Sequence, residues 1–291
     1  FDDTISCGNG TANVMSMVFN TSTKERDENV CWYKYPNMID ILRKAGYYAV
    51  WLSNQEPVGR WGNFDRYYAK RSDTCHFLHI SGSAAGGGVA AAEYDEKLLP
   101  LLDDYLKLNQ QPKQYYTIHL EGTHENFRRR YPKSFAKFTA EDEPGESDEQ
   151  KKMQSEYDNA VYYNDYVVDE IIRRFEDKNA IVFYISDHGM DLYDTGDFAG
   201  HSSEEKGSYH MIEVPFIVWA SPSYKEQNPD VWARIKGAVH RPYRTDYIMH
   251  TIFDAIGVTS SSYEVKYSVI SDEYAQLKRI YNGALYEKQR S

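Results

Sequence analysis

Three cysteines in 291 residues, Cys7, Cys31 and Cys75, are too few to staple a disulfide scaffold, and their odd number leaves at least one unpaired within the chain. Long hydrophobic runs are missing as well: no stretch approaches the roughly 18 apolar residues that a membrane-spanning helix needs. A charged-then-apolar leader is absent, and the first residue is Phe1 rather than Met, so the expectation is a trimmed piece of a longer product. Positive charge is in deficit, 33 Lys and Arg against 44 Asp and Glu, for a net charge of -11. That balance argues against nucleic acid as the main partner. Neither an internal repeat nor a dividing linker is visible, so one α/β domain over residues 1–291 is expected.

What is present is an alternation of strands and helices. Residues 180–185, Ala-Ile-Val-Phe-Tyr-Ile, are β-branched and aromatic and too short for a helix, so they read as a buried strand. A glycine-rich turn at 7–13 opens into a helix-like run at 14–19. Met38, Ile41, Leu42 and Ala45 share one helical face that Gly46 ends, and a strand follows at 47–52. Leu98, Leu101, Leu102, Tyr105 and Leu106 are spaced for a packed helix across 94–108, and 114–120 is the next strand. Residues 139–152 read as a polar loop and 153–175 as a long helix. A strand is expected over 212–220, with Pro215 marking an edge or a start. A closing helix spans 245–256, with Gly257 just past its end. The small-residue loop at 82–88 lacks a following Lys-Ser/Thr and is no phosphate loop. The tail from Thr259 reads as irregular and aromatic, and no role is assigned to it. The alternation implies a mostly parallel central sheet covered by helices on both faces, a three-layer α/β/α sandwich.

Chemistry-bearing residues collect at the carboxyl ends of these strands, where open α/β sheets place their sites. Ser186-Asp187-His188-Gly189 sets an acid and an imidazole side by side at one strand end, with the glycine allowing a turn, and His201 returns on a loop. Carboxylate and imidazole together suit zinc, and equally a hydrogen-bonded pair capping a strand. Thr11, at the start of a helix, is either an N-cap or a nucleophile whose alkoxide is favoured by a metal and by the helix terminus. Ser53-Asn54-Gln55 and His124 follow two other strand ends. Arg128-Arg129-Arg130-Tyr131-Pro132-Lys133 is a local basic stretch, either a solvated surface or a dock for phosphate groups.

With Thr11, His124, Asp187-His188 and His201 each at a strand end or turn, the pattern resembles the alkaline-phosphatase superfamily. More narrowly, it is similar to the bacterial phosphoethanolamine transferases that modify lipopolysaccharide. The segments that carry the likeness are Ser6-Cys7-Gly8-Asn9-Gly10-Thr11-Ala12, Trp51-Leu52-Ser53-Asn54-Gln55, His119-Leu120-Glu121-Gly122-Thr123-His124, Tyr157-Asp158-Asn159-Ala160, Ser186-Asp187-His188-Gly189 and Gly200-His201. They run in order over residues 1–258. Met17 stands where a cysteine usually follows the nucleophile, Met190 where a Glu often follows Asp-His-Gly, and the acidic loop lacks the cysteine pair of some relatives.

This resemblance implies a zinc enzyme that moves phosphoethanolamine from phosphatidylethanolamine to a lipid A phosphate or core sugar of lipopolysaccharide, by way of a covalent threonine. Thr11, Asp187 and His188 would be metal ligands, together with a Glu from a strand upstream of Phe1. Thr11 would be the nucleophile. His124 and His201 would bind the phosphoryl group or move a proton, and Asn54 and Gln55 would contact ethanolamine or phosphate. It also implies a monomer at the periplasmic face of the bacterial inner membrane, attached through helices outside this chain. The alternatives are another hydrolase of the superfamily, a phosphoglycerol transferase, or a non-catalytic sulfatase-like module. A sulfatase proper does not fit, because Gly8-Asn9-Gly10-Thr11 after Cys7 lacks the formylglycine setting.

Overall fold

The computed structural model describes residues 1–25, 30–57, 63–78, 93–201 and 207–288, and the small-residue loop at 82–88 lies outside them. Two compact units are present: Phe1–Ala45, Phe175–Asp191 and His201–Ser291 form one, and Gly46–Arg174 with Leu192–Gly200 form the other. Each is assembled from separate stretches of chain, so the division leaves no linker for composition to reveal.

The unit built on Gly46–Arg174 holds a three-stranded parallel sheet in the order Thr74–Phe77, Tyr48–Ser53, Gln114–His119. Tyr48–Ser53 takes the centre because Ala49, Val50, Trp51 and Leu52 can be buried between neighbours on both edges. Parallel neighbours require crossovers, which are supplied by the helices Asn63–Ala69 and Leu98–Leu108. Leu98, Leu99 and Leu102 form the buried stripe of the latter. Ser53 pairs with His119, so the loops that follow both strands leave the same end of the sheet.

Residues 139–152 are not the polar loop expected. Thr139 and Asp142 cap each other around a 3₁₀ turn, Ala140–Asp142, and the long helix begins early, running Asp148–Arg173. The reason is local. Ser147 and Gln150 form a capping box, and Asp148 and Glu149 sit in the first turn, where the helix dipole favours negative charge. Acidic composition read as loop is here a helix start.

In the other unit, Thr4–Ile5 pairs parallel with Tyr243–Arg244, and Ile181–Ile185 pairs antiparallel with Phe216–Ala220. The strand expected over 212–220 starts only at Phe216, after a 3₁₀ turn at Tyr209–Met211, since Pro215 has no N–H to give a ladder. The helix Ile248–Ile256 ends at Gly257 in the left-handed region, φ 66°, as its sequence predicts. Met38, Ile39 and Leu42 are the buried face of Met38–Lys44, so Ile39 takes the place expected for Ile41 and Ala45. The unassigned tail has a structure: Ile280–Tyr281 and Ala284–Leu285 form a hairpin around Asn282-Gly283, both at positive φ. Asn-Gly is a strong hairpin signal, visible in the sequence. Tyr281 and Tyr286 bury against Ile5 and Ile212.

Candidate active site

The strand Ile181–Ile185 ends at Ser186, and the chain then runs past a tight backbone crossing. Gly189 donates its N–H to the Met211 carbonyl at 2.8 Å, and a Cβ at Gly189 would lie 2.1 Å from the His210 carbonyl oxygen. Close approach, rather than a turn, is what demands the glycine. Asp187 accepts from the His188 N–H at 2.9 Å, and Ser186 Oγ donates to the His188 carbonyl at 2.7 Å.

His188 Nδ1 faces the Gly189 carbonyl oxygen at 2.8 Å. A carbonyl only accepts, so Nδ1 carries the proton and Nε2 of the neutral ring presents a lone pair. That lone pair lies 3.4 Å from Thr11 Oγ and 3.6 Å from Asp187 Oδ2. Thr11 is the first residue of the helix Thr11–Val18, and the N-cap is Gly10. The capping alternative for Thr11 is therefore set aside: its hydroxyl is turned to His188, near the positive end of the helix. Ser6 Oγ donates to the Asp187 carbonyl and accepts from the Gly8 N–H at 3.3 Å, tying the Thr11 turn to the strand end. His201 lies with its ring 4.6 Å from that of His188, centre to centre. Thr11, Asp187, His188 and His201 thus share one place.

Asn54, Gln55 and His124 belong to the unit built on Gly46–Arg174. Asn54 is 1% exposed, and its amide donates to Asp95 Oδ1 at 2.7 Å and to the Glu93 carbonyl at 2.8 Å. Its amide nitrogen thus ties the strand end to the loop at Glu93 and Asp95. Asp95, itself buried, accepts from the Glu121 and Gly122 N–H groups, each at 2.8 Å. Gln55 is half-buried and reaches the Leu120 carbonyl at 3.5 Å. His124 is exposed.

The basic stretch is partly spent inside the protein. Arg130 pairs with Glu121 at 2.5 Å and donates to the His124 and Glu125 carbonyls, and Arg128 lies over the Tyr131 ring. Sequence reading passed over Ser6, Asp95 and Arg130 as organisers. Nothing in their local pattern marks them, because each acts on a segment distant in the chain or on backbone groups.

Among the described residues, no group of three or more His, Cys, Asp or Glu side chains is placed to hold a metal ion. The donors that do converge are the Asp187 carboxylate, His188 Nε2 and the Thr11 hydroxyl. Two lone-pair atoms, Nε2 and Oδ2, face each other at 3.6 Å. A cation between them would relieve that repulsion, and oxygen with imidazole nitrogen is a donor set that zinc accepts. The residues fit a metal.

A model of the sulfatase family matches residues 1–258. The chain is 29% identical over 259 residues to the phosphoethanolamine transferase EptC of Escherichia coli O18:K1:H7, covering 87% of this chain and 43% of that protein. It is likewise 29% identical to the phosphoethanolamine transferase CptA of Salmonella typhimurium, covering 90% of this chain and 45% of the relative. The chain thus spans less than half the length of these two. The zinc complex of the C-terminal periplasmic domain of E. coli EptC superposes with a TM-score of 0.84 at 25% identity, over 96% of this chain and 76% of that one.

Proposed function

The chain belongs to the sulfatase family, and from that premise we propose that it is the catalytic part of a phosphoethanolamine transferase. Its α/β architecture is the one expected from the alternation of elements, and its alkaline-phosphatase-like character is the one the resemblance implied. The observation that carries the activity is a hydroxyl, Thr11 Oγ, facing His188 Nε2 at 3.4 Å beside a carboxylate. The relatives named phosphoethanolamine transferases support the group transferred.

Thr11, Asp187 and His188 would hold zinc, which supplies charge stabilisation and favours the ionised hydroxyl. Thr11 Oγ attacks the phosphorus of phosphatidylethanolamine, the bond from phosphorus to the diacylglycerol oxygen breaks, and the threonine proton ends on that oxygen. A lipid A phosphate or a core-sugar hydroxyl of lipopolysaccharide then forms its own bond to phosphorus and releases Thr11. His188 keeps its orientation through the Gly189 carbonyl, and Ser6 keeps the Thr11 turn against Asp187. His124 and His201 bind the phosphoryl oxygens or pass a proton to the departing oxygen. Gln55 contacts ethanolamine or phosphate.

The enzyme acts as a monomer at the periplasmic face of the inner membrane, in keeping with the periplasmic domain it resembles. No helix among the described residues is long and apolar enough to cross a membrane. Peptide mass spectrometry of the full-length polypeptide after incubation with phosphatidylethanolamine tests the chemistry. Phosphoethanolamine is expected on Thr11; turnover with the adduct elsewhere, or with no adduct, removes the threonine intermediate.

A further inference from the structure

Within the basic stretch at 128–133, Arg130 is the arginine that contacts His124. We propose that Arg130 is a positioning residue that fixes His124 in a single tautomer, with the proton on Nε2, so that the ring offers a hydrogen-bond donor to an anionic oxygen. This rests on the reading above only in taking His124 as a phosphoryl contact.

The Arg130 side chain is 10% exposed, and Nη1 pairs with Glu121 Oε1 at 2.5 Å. Nε donates to the His124 and Glu125 carbonyls at 3.0 and 3.1 Å, and Nη2 donates to the Glu125 carbonyl at 2.7 Å. Nη2 also lies 3.5 Å from His124 Nδ1. A guanidinium has donors and no acceptor and stays charged, so Nδ1 has to accept. A proton on Nδ1 would set N–H against N–H and, in the doubly protonated ring, cation against cation.

The loop around this pair is anchored independently. The Glu121 and Gly122 N–H groups are held by the buried Asp95, so the Glu121 carboxylate that receives Arg130 starts from a fixed backbone. Glu121, Asp95 and Asn54 therefore form a relay from the sheet end to Arg130, and Arg130 turns that rigidity into one orientation and one tautomer for His124. A lysine could keep the charge but could not reach the His124 carbonyl, the Glu125 carbonyl and Nδ1 with one planar fork.

Nitrogen NMR of this chain labelled with 15N-histidine reads the tautomer without substrate or turnover. The His124 signals are assigned among nine histidines by difference from His124→Gln. The expected result is an unprotonated Nδ1 and a protonated Nε2, replaced in Arg130→Lys by exchange between tautomers. In the full-length enzyme, Arg130→Lys should lower kcat by up to roughly 100-fold, the scale of a misplaced group in the site, with a smaller change in KM. The wild-type tautomer decides the matter even where a variant at Arg130 fails to fold. A wild-type His124 protonated on Nδ1, or a tautomer and kcat unchanged in Arg130→Lys, overturns the proposal. The expected tautomer in an enzyme that transfers no phosphoethanolamine would leave the role of Arg130 standing and remove the proposed activity.

Discussion

At the scale of single residues, the proposed chemistry rests on making a weak nucleophile reactive. A threonine hydroxyl attacks phosphorus slowly unless its proton is taken up or its oxygen meets positive charge. In the proposed reaction Thr11 would draw on the helix end and on the metal that Asp187 and His188 would hold beside it. Thr11→Ala should abolish transfer, and Thr11→Ser should retain part of it, both folding with a near-parent melting temperature because Thr11 is only half-buried. Turnover of Thr11→Ala near the parent rate would remove the nucleophile.

His250 is a residue of a different kind. It is 3% exposed, accepts from the Glu264 N–H at 3.1 Å, and burial pushes its pKa down to about 4. An unfolded chain takes up that proton near pH 6.5, so between about 6.5 and 4 the unfolded state binds more protons than the native one. Stability is therefore expected to fall as pH drops through this window, by on the order of 3 kcal/mol from this group when fully developed. Urea midpoints at pH 7 and pH 4.5 should differ less in His250→Gln than in the parent, and equal differences would exclude the group.

At the scale of elements, strand ends and the segments packed over them decide where the site residues point. The backbone at Gly189 passes against residues 210–211 so closely that no Cβ fits, and the obstacle is a carbonyl rather than a side chain able to swing aside. Gly189→Ala should therefore cost about 1–3 kcal/mol by overpacking. It should also displace Asp187 and His188, with transfer falling along with the melting temperature. A fully stable, active Gly189→Ala would show that the crossing is looser than its geometry requires. The hairpin at 280–285 belongs to this scale too. Tyr281 is buried and its hydroxyl accepts from the Asn9 amide at 3.2 Å, while Asn282 donates to the Gly207 carbonyl at 2.7 Å. The tail thus braces the turn that leads to Thr11, although it lies beyond the residues matched by the family.

For the whole molecule, net charge and the use of its few cations set what surfaces it meets. With a net charge of -11, the chain as a whole is repelled by anionic lipid. Within the basic stretch, Arg130 is occupied by Glu121 and Arg128 by Tyr131. Neutralising Arg128, Arg129 and Arg130 together is accordingly expected to leave association with anionic vesicles unchanged at low salt, where screening is least. Its effect should appear in kcat, through Arg130. A marked loss of vesicle binding would restore the stretch as a lipid-facing dock.

Sequence alone determined much of this protein, because local rules govern what it shows. The runs Tyr48–Ser53 and Ile181–Ile185 are strands by side-chain type, Gly257 ends its helix by conformational freedom, and Asn282-Gly283 makes a hairpin wherever it is flanked by strands. The placement of Asp187-His188 just past a strand end was legible for the same reason. Only the tertiary structure set the cap aside at Thr11, since its hydroxyl faces a residue 177 positions away, His188. It alone showed Asn54 turned inward to Asp95, Arg130 spent on the His124 loop, and the division into two units made of interleaved segments. Such facts depend on which distant groups a buried polar atom finds as partners. A buried donor or acceptor has to find one, but no local pattern names it.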